Sequence, residues 1–303
     1  MEQDHIAPML ATASTGAGNR QPVRIESLAG THVFDLKVDG VRAMLYRSPD
    51  PVLINRNGVD ITHKYPEIVQ SIKGAGTVLD GEIIADDGRF ETTLLRDQQE
   101  KKASINRLAL QHPCRFVVFD TPTGRAPWTD RRAFVEEEVE KRLLPRTGTD
   151  RVTVTPYSDD PAFFDQVARL GMEGVIAKRK TSRYQPGKRS PDWVKFKTVR
   201  RVTCIVIGYS PGTGSRSHFG NMRLAMLDGD QPVEVGTVGS GFTEKQTHDL
   251  KARLDAGELL VVEIEALNVT SGRKLRHPVY KGIRSDLSPL DCVVAQLDTL
   301  PTC

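Results

Sequence analysis

The stretch Val33-Phe34-Asp35-Leu36-Lys37-Val38-Asp39-Gly40-Val41-Arg42-Ala43-Met44-Leu45-Tyr46 decides how this chain is read. Apolar and polar residues alternate along it, the two-residue period of a half-buried strand. The Ser48-Pro49-Asp50-Pro51 turn then leads into Val52–Asn55 and completes a hairpin. Lys37 is therefore expected in mid-strand, followed by a carboxylate and by a glycine that lets the chain bend. Four residues of the form lysine-x-aspartate-glycine arise often by chance, and alone they describe an ordinary edge-strand lysine. A nucleophilic amine would need neighbours that favour its neutral form, namely other cations and partial burial.

Those neighbours exist elsewhere in the chain. Trp193-Val194-Lys195-Phe196-Lys197 puts two lysines on one face of a strand, with the aromatics expected opposite. Two like charges side by side repel unless an anion lies between them. Upstream, Tyr184-Gln185-Pro186-Gly187-Lys188-Arg189-Ser190 adds a basic turn suited to phosphate oxygens. Leu79-Asp80-Gly81-Glu82-Ile83 and Gly171-Met172-Glu173-Gly174-Val175 set carboxylates at apolar strands, where they can act as caps or hold a hard divalent cation such as Mg²⁺. Arg56 lies in the turn Asn55-Arg56-Asn57-Gly58, and Phe119 in Phe116-Val117-Val118-Phe119-Asp120 suits either a core or a purine-stacking face.

Composition sets wide bounds. Of 303 residues 38% are apolar and 27% charged, a globular profile, and the formal net charge is only +3, so nucleic-acid binding would have to come from local clustering. The four cysteines include no C-x-x-C pair, which argues against a disulfide framework or structural zinc and for a reduced, cytoplasmic setting. No apolar run precedes Arg24, and no stretch approaches the roughly 18 residues of a membrane span, so no signal peptide and no membrane partner are expected.

Residues 13–22 read as a flexible connection. Thr62 is expected to cap a helix over about 63–73, with Tyr65, Ile68, Val69 and Ile72 on its buried face. Strands are expected at Val78–Ala85, Arg115–Asp120, Val152–Pro156, Val175–Lys178 and Trp193–Lys197. A helix from Thr129 has Phe134, Val139, Leu143 and Leu144 as its apolar stripe and Glu136–Glu138 on its solvated side. A further helix runs from about Pro161 to Leu170, closed by Gly171. Beyond Arg200-Arg201 the chain turns to short strands at 204–209, 222–227, 233–238 and 260–267 with one helix near 243–255. That pattern suggests a small β-barrel of the OB type.

Six such signals in one order resemble the covalent nucleotidyltransferase superfamily, and within it the ATP-dependent DNA ligases. The resemblance runs from Ile6-Ala7-Pro8-Met9-Leu10 to Arg284-Ser285-Asp286 and is most like the ligase module of bacterial end-joining ligases. It implies an α+β fold: an ATP-grasp-like nucleotidyltransferase domain of antiparallel sheets with helices over residues 1–200, then an OB-fold domain over 201–303. Gly208-Tyr209-Ser210-Pro211-Gly212 and His218-Phe219-Gly220 resemble the opening of that second domain.

By the same resemblance Lys37 becomes the lysyl-AMP. Asp35 contacts the adenine amino group, where the family usually has Glu, and Phe119 stacks on the adenine. Arg42 and Arg56 contact ribose or phosphate. Glu82 and Glu173 hold metal and nucleotide, and Arg189, Lys195 and Lys197 hold the ATP phosphates. In the final motif, Leu275-Arg276-His277-Pro278-Val279-Tyr280 through Asp286, Arg276 and Arg284 orient pyrophosphate, and Leu287 stands where the family commonly has a cation.

The resemblance implies ATP and Mg²⁺ or Mn²⁺, and a monomer sealing nicks in duplex DNA without sequence preference. Arg179, Lys180, Arg183, Lys188, Arg200 and Arg201 are candidate backbone contacts. End-joining or repair proteins are implied partners, in a bacterial nucleoid or encoded by a phage. An RNA ligase or mRNA-capping nucleotidyltransferase shares the lysine motif, and GTP in place of ATP would reveal the latter. A non-catalytic OB-fold binding protein would leave Lys37, Glu82 and Glu173 without a role.

Overall fold

The computed structural model describes residues 5–15, 21–72, 76–122, 124–140, 151–212 and 219–300. Leu143, Leu144 and His218, with residues 16–20 of the expected connection, lie outside them. The chain divides into two compact units, Met1–Lys197 and Thr198–Cys303.

The first unit holds β1 (Leu10–Ala13), β2 (His32–Leu36), β3 (Val41–Tyr46), β4 (Val52–Asn55), β5 (Val78–Ala85), β6 (Cys114–Asp120), β7 (Val152–Val154), β8 (Tyr157–Ser158), β9 (Gly174–Arg179) and β10 (Arg189–Lys197). Its helices are α1 (Pro66–Ser71), α2 (Phe90–Asp97), α3 (Lys102–Gln111), α4 (Trp128–Glu138) and α5 (Phe163–Arg169). The strands form two five-stranded sheets, β1-β10-β9-β2-β8 and β4-β3-β5-β6-β7. All pairings are antiparallel except β1 with β10 and β6 with β7.

Side-chain alternation gives each sheet one core face. Phe34, Val175, Ala177, Val194 and Phe196 pack beneath the first sheet with α5's Val167. Ala43, Leu45, Leu79, Ile83, Phe116 and Val118 pack beneath the second with Tyr65, Ile68 and Val135 from the helices. The opposite faces carry polar residues together with a smaller apolar cluster that includes Met9, Ile176, Tyr184 and Trp193.

Several expectations are corrected. The alternating run from Val33 to Tyr46 is two strands in two different sheets, and Lys37 follows the end of β2 rather than sitting mid-strand. The break falls at Gly40, where a Cβ would lie 2.2 Å from the Ile83 carbonyl oxygen, so only glycine lets this crossing lie against β5. The β3–β4 hairpin forms, with Tyr46 opposite Val52. Thr62 begins a short 3₁₀ turn and its hydroxyl accepts from Leu53 N (2.9 Å). The helix itself starts at Pro66, an N1 residue with φ already helical.

In α4 the inward side is Trp128, Arg131, Arg132, Val135 and Glu138, while Phe134 is exposed. Glu138 is thus buried, paired with Arg47, and not on a solvated face. Helices α2 and α3 had no counterpart in the sequence reading, because Leu94, Leu95 and Leu110 face solvent and blur their periodicity.

The second unit holds β11 (Arg200–Tyr209), β12 (Met222–Asp228), β13 (Gln231–Val238), α6 (Glu244–Asp255), β14 (Val261–Ala266), β15 (Asn268–Val269), β16 (Leu275–Arg276) and β17 (Val279–Ile283). Five of these strands make one sheet in the order β13-β12-β11-β14-β17. Its edge strands β13 and β17 do not pair with each other among the described residues, so the sheet is open where a closed barrel was expected. Thr243 caps α6 in a reciprocal box with Gln246.

Candidate active site

Strand register gathers the expected residues in the first unit. Asp35 on β2 lies opposite Ile176 on β9, which lies opposite Lys195 on β10. Lys178 lies opposite Trp193, so Asp35, Ile176, Lys178, Trp193, Lys195 and Lys197 share the non-core face. Lys37 extends this row: its backbone N–H donates to the Gly174 carbonyl (2.9 Å) just past the end of β2. Gly174 has φ +139°, and a Cβ there would lie 2.0 Å from the Phe196 carbonyl oxygen. That glycine seats the preceding Glu173 against the lysine.

Glu173 is buried and bridges two cations, accepting from Lys37 Nζ and lying 3.1 Å from Lys197 Nζ. On the second sheet Arg42 stands directly opposite Glu82. The two faces bound a cavity of about 280 Å³ lined by Asp35, Lys37, Arg42, Arg56, Glu82, Phe119, Arg189 and Lys195 among others. These are eight of the twelve residues singled out in the sequence. Glu173 joins the site through Lys37, and Lys197 through Glu173. Arg276, on β16, and Arg284, just past β17, belong to the second unit, where Arg284 forks onto Asp286 (2.8 and 2.7 Å) and reaches Glu263 at 3.4 Å.

The electrostatics follow from burial. Lys195 is held below the usual lysine pKa first by desolvation and then by Lys197, Arg189 and Lys37. Burial pushes the Glu82 carboxyl up to about 8, against the pull of Arg42 and Lys37 and with a further push from Glu173. A second carboxylate beside a reluctantly ionised one is a donor set for a hard cation, and Glu82 and Glu173 fit Mg²⁺ in that respect. Among the described residues no group of three or more His, Cys, Asp or Glu side chains could hold a metal, so further ligands would be phosphate oxygens and water.

Sequence reasoning missed Lys178 and Trp193. Lys178 is buried, pairs with Asp35, donates to the Phe119 carbonyl (3.0 Å) and lies 4.8 Å from the Phe119 ring centroid and 4.6 Å from that of Trp193. Trp193 shares the face of Lys195 and lines the cavity; only Phe196 turns to the core. Asp35 is fully engaged, its Oδ1 by the Thr155 hydroxyl (2.6 Å) and its Oδ2 by Lys178. The register of β9 was the available signal, since Lys178 follows Ile176 by two residues. Arg56 sits in a turn tied by Asn55, whose Oδ1 accepts from Asn57 N (2.9 Å) and Val59 N (3.0 Å).

The ATP dependent DNA ligase domain, as a family, matches residues 8–197. The chain is similar to a DNA ligase of Thermococcus onnurineus, with 32% identity over 322 residues covering 94% of this chain and 56% of the relative. It is also similar to the multifunctional non-homologous end joining protein LigD of Pseudomonas aeruginosa, with 30% identity covering 93% of this chain and 36% of that one. Among solved structures, the ligase domain of LigD from M. tuberculosis superposes with a TM-score of 0.50 at 26% identity, covering 97% of this chain and 99% of that one. The chain spans about half the length of the Thermococcus relative and about a third of the Pseudomonas one.

Proposed function

The chain belongs to the ATP-dependent DNA ligase family, and on that premise we propose that it seals 3′-OH/5′-phosphate nicks in duplex DNA through an AMP carried on Lys37. The observation that carries this reading is Lys37 held by Glu173 at the end of a sheet face that also bears Lys195 and Lys197, across a cavity from Arg42, Glu82 and Phe119.

In the first step the Lys37 amine attacks the α-phosphorus of ATP, a nitrogen–phosphorus bond forms, and the bond to pyrophosphate breaks. Glu173 keeps the amine aimed and is the hydrogen-bond partner through which its proton leaves. Lys195 and Lys197 face the charge gathering on the phosphate oxygens, an electrostatic task they perform without reorganising. Glu82 and Glu173 would hold Mg²⁺ or Mn²⁺, which supplies charge neutralisation at the phosphates. The AMP then passes to the 5′-phosphate of the nick, and the 3′-hydroxyl displaces AMP to form the new phosphodiester.

Asp35 and Phe119 are read as the adenine contacts, Asp35 together with its partner Lys178. Arg42 and Arg56 are read as ribose or phosphate contacts, Arg189 as a phosphate contact, and Arg276 and Arg284 as the pair that orients pyrophosphate. The first unit serves as the adenylation domain. The second unit, with its five-stranded sheet and helix α6, is read as an OB-type module. The DNA contacts carry no sequence preference, as backbone recognition dictates. The similarity to LigD supports a place in end joining or repair, and the protein is read as a monomer acting in the cytoplasm or nucleoid. No helix among the described residues is long and apolar enough to cross a membrane.

The test is sealing of a 5′-labelled nicked duplex. Wild type joins the strands with ATP and a divalent metal, and Lys37→Ala does not. Joining confined to RNA strands, or covalent labelling by GTP and not ATP, overturns the assignment.

A further inference from the structure

Arg42 reaches the cavity only because it is held from behind. Its Nε and Nη2 fork onto Asp80 (3.0 and 2.6 Å), and Nη2 also donates to the Met9 carbonyl (2.9 Å). Asp80 is fully buried, and its Oδ2 accepts a second bond from the Tyr184 hydroxyl (2.6 Å). The same hydroxyl accepts from Met9 N (3.0 Å). The bonds close a ring: Met9 N–H to Tyr184, Tyr184 to Asp80, Arg42 to Asp80, and Arg42 back to the Met9 carbonyl. The ring ties together the N-terminal segment, β3, β5 and the turn before β10. It fixes the guanidinium 5.0 Å from the Phe119 ring centroid.

We propose that Tyr184 is a positioning residue for the nucleotide: through Asp80 it sets the orientation of Arg42 at the cavity and thereby the affinity for ATP. Tyr184 does not line the cavity, and its ring is packed edge-on against Trp193 (centroids 5.9 Å), so its hydroxyl acts only through the ring of bonds. Without that hydroxyl, Asp80 loses one of the bonds that anchor its Oδ2, and Met9 N loses its acceptor. The Asp80 carboxylate and the Met9 segment, each held by one bond fewer, can then shift and carry the Arg42 fork with them. The aromatic ring contributes packing alone, and phenylalanine preserves it.

This inference rests on the ligase reading, and the experiment separates the two. The KM for ATP and the turnover of enzyme–AMP formation are measured for wild type, Tyr184→Phe, Arg42→Gln and the double variant. Tyr184→Phe is expected to raise KM roughly tenfold with turnover within about twofold, as fits loss of a charge-assisted bond that orients a binding group. In the Arg42→Gln background the same change is expected to add nothing, because its intermediary is gone. Should Arg42→Gln fail to fold, Asp80→Asn takes its place in the cycle. An unchanged KM in Tyr184→Phe, an equal fall in turnover, or full additivity overturns the inference. Absence of any enzyme–AMP in wild type overturns the ligase reading instead.

Discussion

The two units handle charge in opposite ways. The first buries Asp35, Asp80, Asp120, Glu138, Glu173, Arg47, Arg96, Arg131, Arg132 and Lys178. The second buries Thr198, Thr247 and Asn268 as its polar residues, with no buried charge among the described residues. Its ion pairs, such as Arg223–Glu234 and Lys251–Asp255, are solvent-exposed. Its core of Val206, Leu224, Met226, Val262 and Ile264 is apolar. A buried ion pair rarely stabilises more than a well-packed apolar substitute. Only some of the first unit's buried charges stand at the cavity: Asp35 and Lys178 line it, Glu173 holds Lys37 and Asp80 holds Arg42, whereas Arg47–Glu138, Arg96–Glu67 and Arg131–Asp120 pair away from it. Groups fixed in this way before a ligand arrives are what stabilisation of charge at a reacting phosphate requires.

The contrast is sharpest where a partner is removed. Arg131 forks onto Asp120 (2.7 and 3.1 Å) with both groups buried. Arg131→Ala leaves that carboxylate unpaired and is expected to cost about 3–5 kcal/mol of stability. Arg223→Ala in the second unit is expected to cost far less, because its pair with Glu234 lies in solvent and is screened. Chemical denaturation of both variants checks this, and comparable losses would break the comparison.

Next in size is the effect on chemistry. Glu173→Gln keeps the shape but removes the charge that holds Lys37 and Lys197. We expect enzyme–AMP formation to slow by about 10²–10³, or roughly 2.7–4 kcal/mol of barrier, while the melting temperature moves little. Single-turnover labelling measures it, and a rate within threefold of wild type would remove Glu173 from the mechanism.

A third effect is on pH dependence. The Glu82 carboxyl, about 4.5 in an unfolded chain, is pushed up to about 8 by burial in the folded one. The folded state therefore keeps a proton that the unfolded chain releases, and its stability falls as pH rises from about 4.5 through about 8. In the absence of divalent metal the melting temperature of wild type should fall more than that of Glu82→Gln across this window. Parallel profiles would mean that Glu82 titrates normally.

Much of this arrangement was legible in the sequence, because strand alternation is local. Val78–Ala85 was bounded as observed, and the two lysines after Trp193 share a face as expected. What escaped was long-range. Nothing near Gly40 announces that its two flanking strands lie in different sheets, since the cause is the Ile83 carbonyl against it. Glu138 read as solvated because its partner Arg47 is far away in sequence. Lys178 looked like the end of an apolar strand until register set it beside Asp35. Thr62 matched a cap by type, yet its hydroxyl is used by the adjacent strand β4. Four short strands after Thr203 lie close to where they were expected, but the edge strand β17 and the short β15 and β16 were not among them, and strand spacing does not fix whether a sheet closes.

The account turns on Lys37, held by Glu173, as the amine that carries AMP. The 303-residue chain, incubated with α-labelled ATP and Mg²⁺ and then digested, tests it most directly. The account predicts AMP on the peptide containing Lys37 and no label on Lys37→Ala; AMP on any other lysine, or label retained by Lys37→Ala, would contradict it.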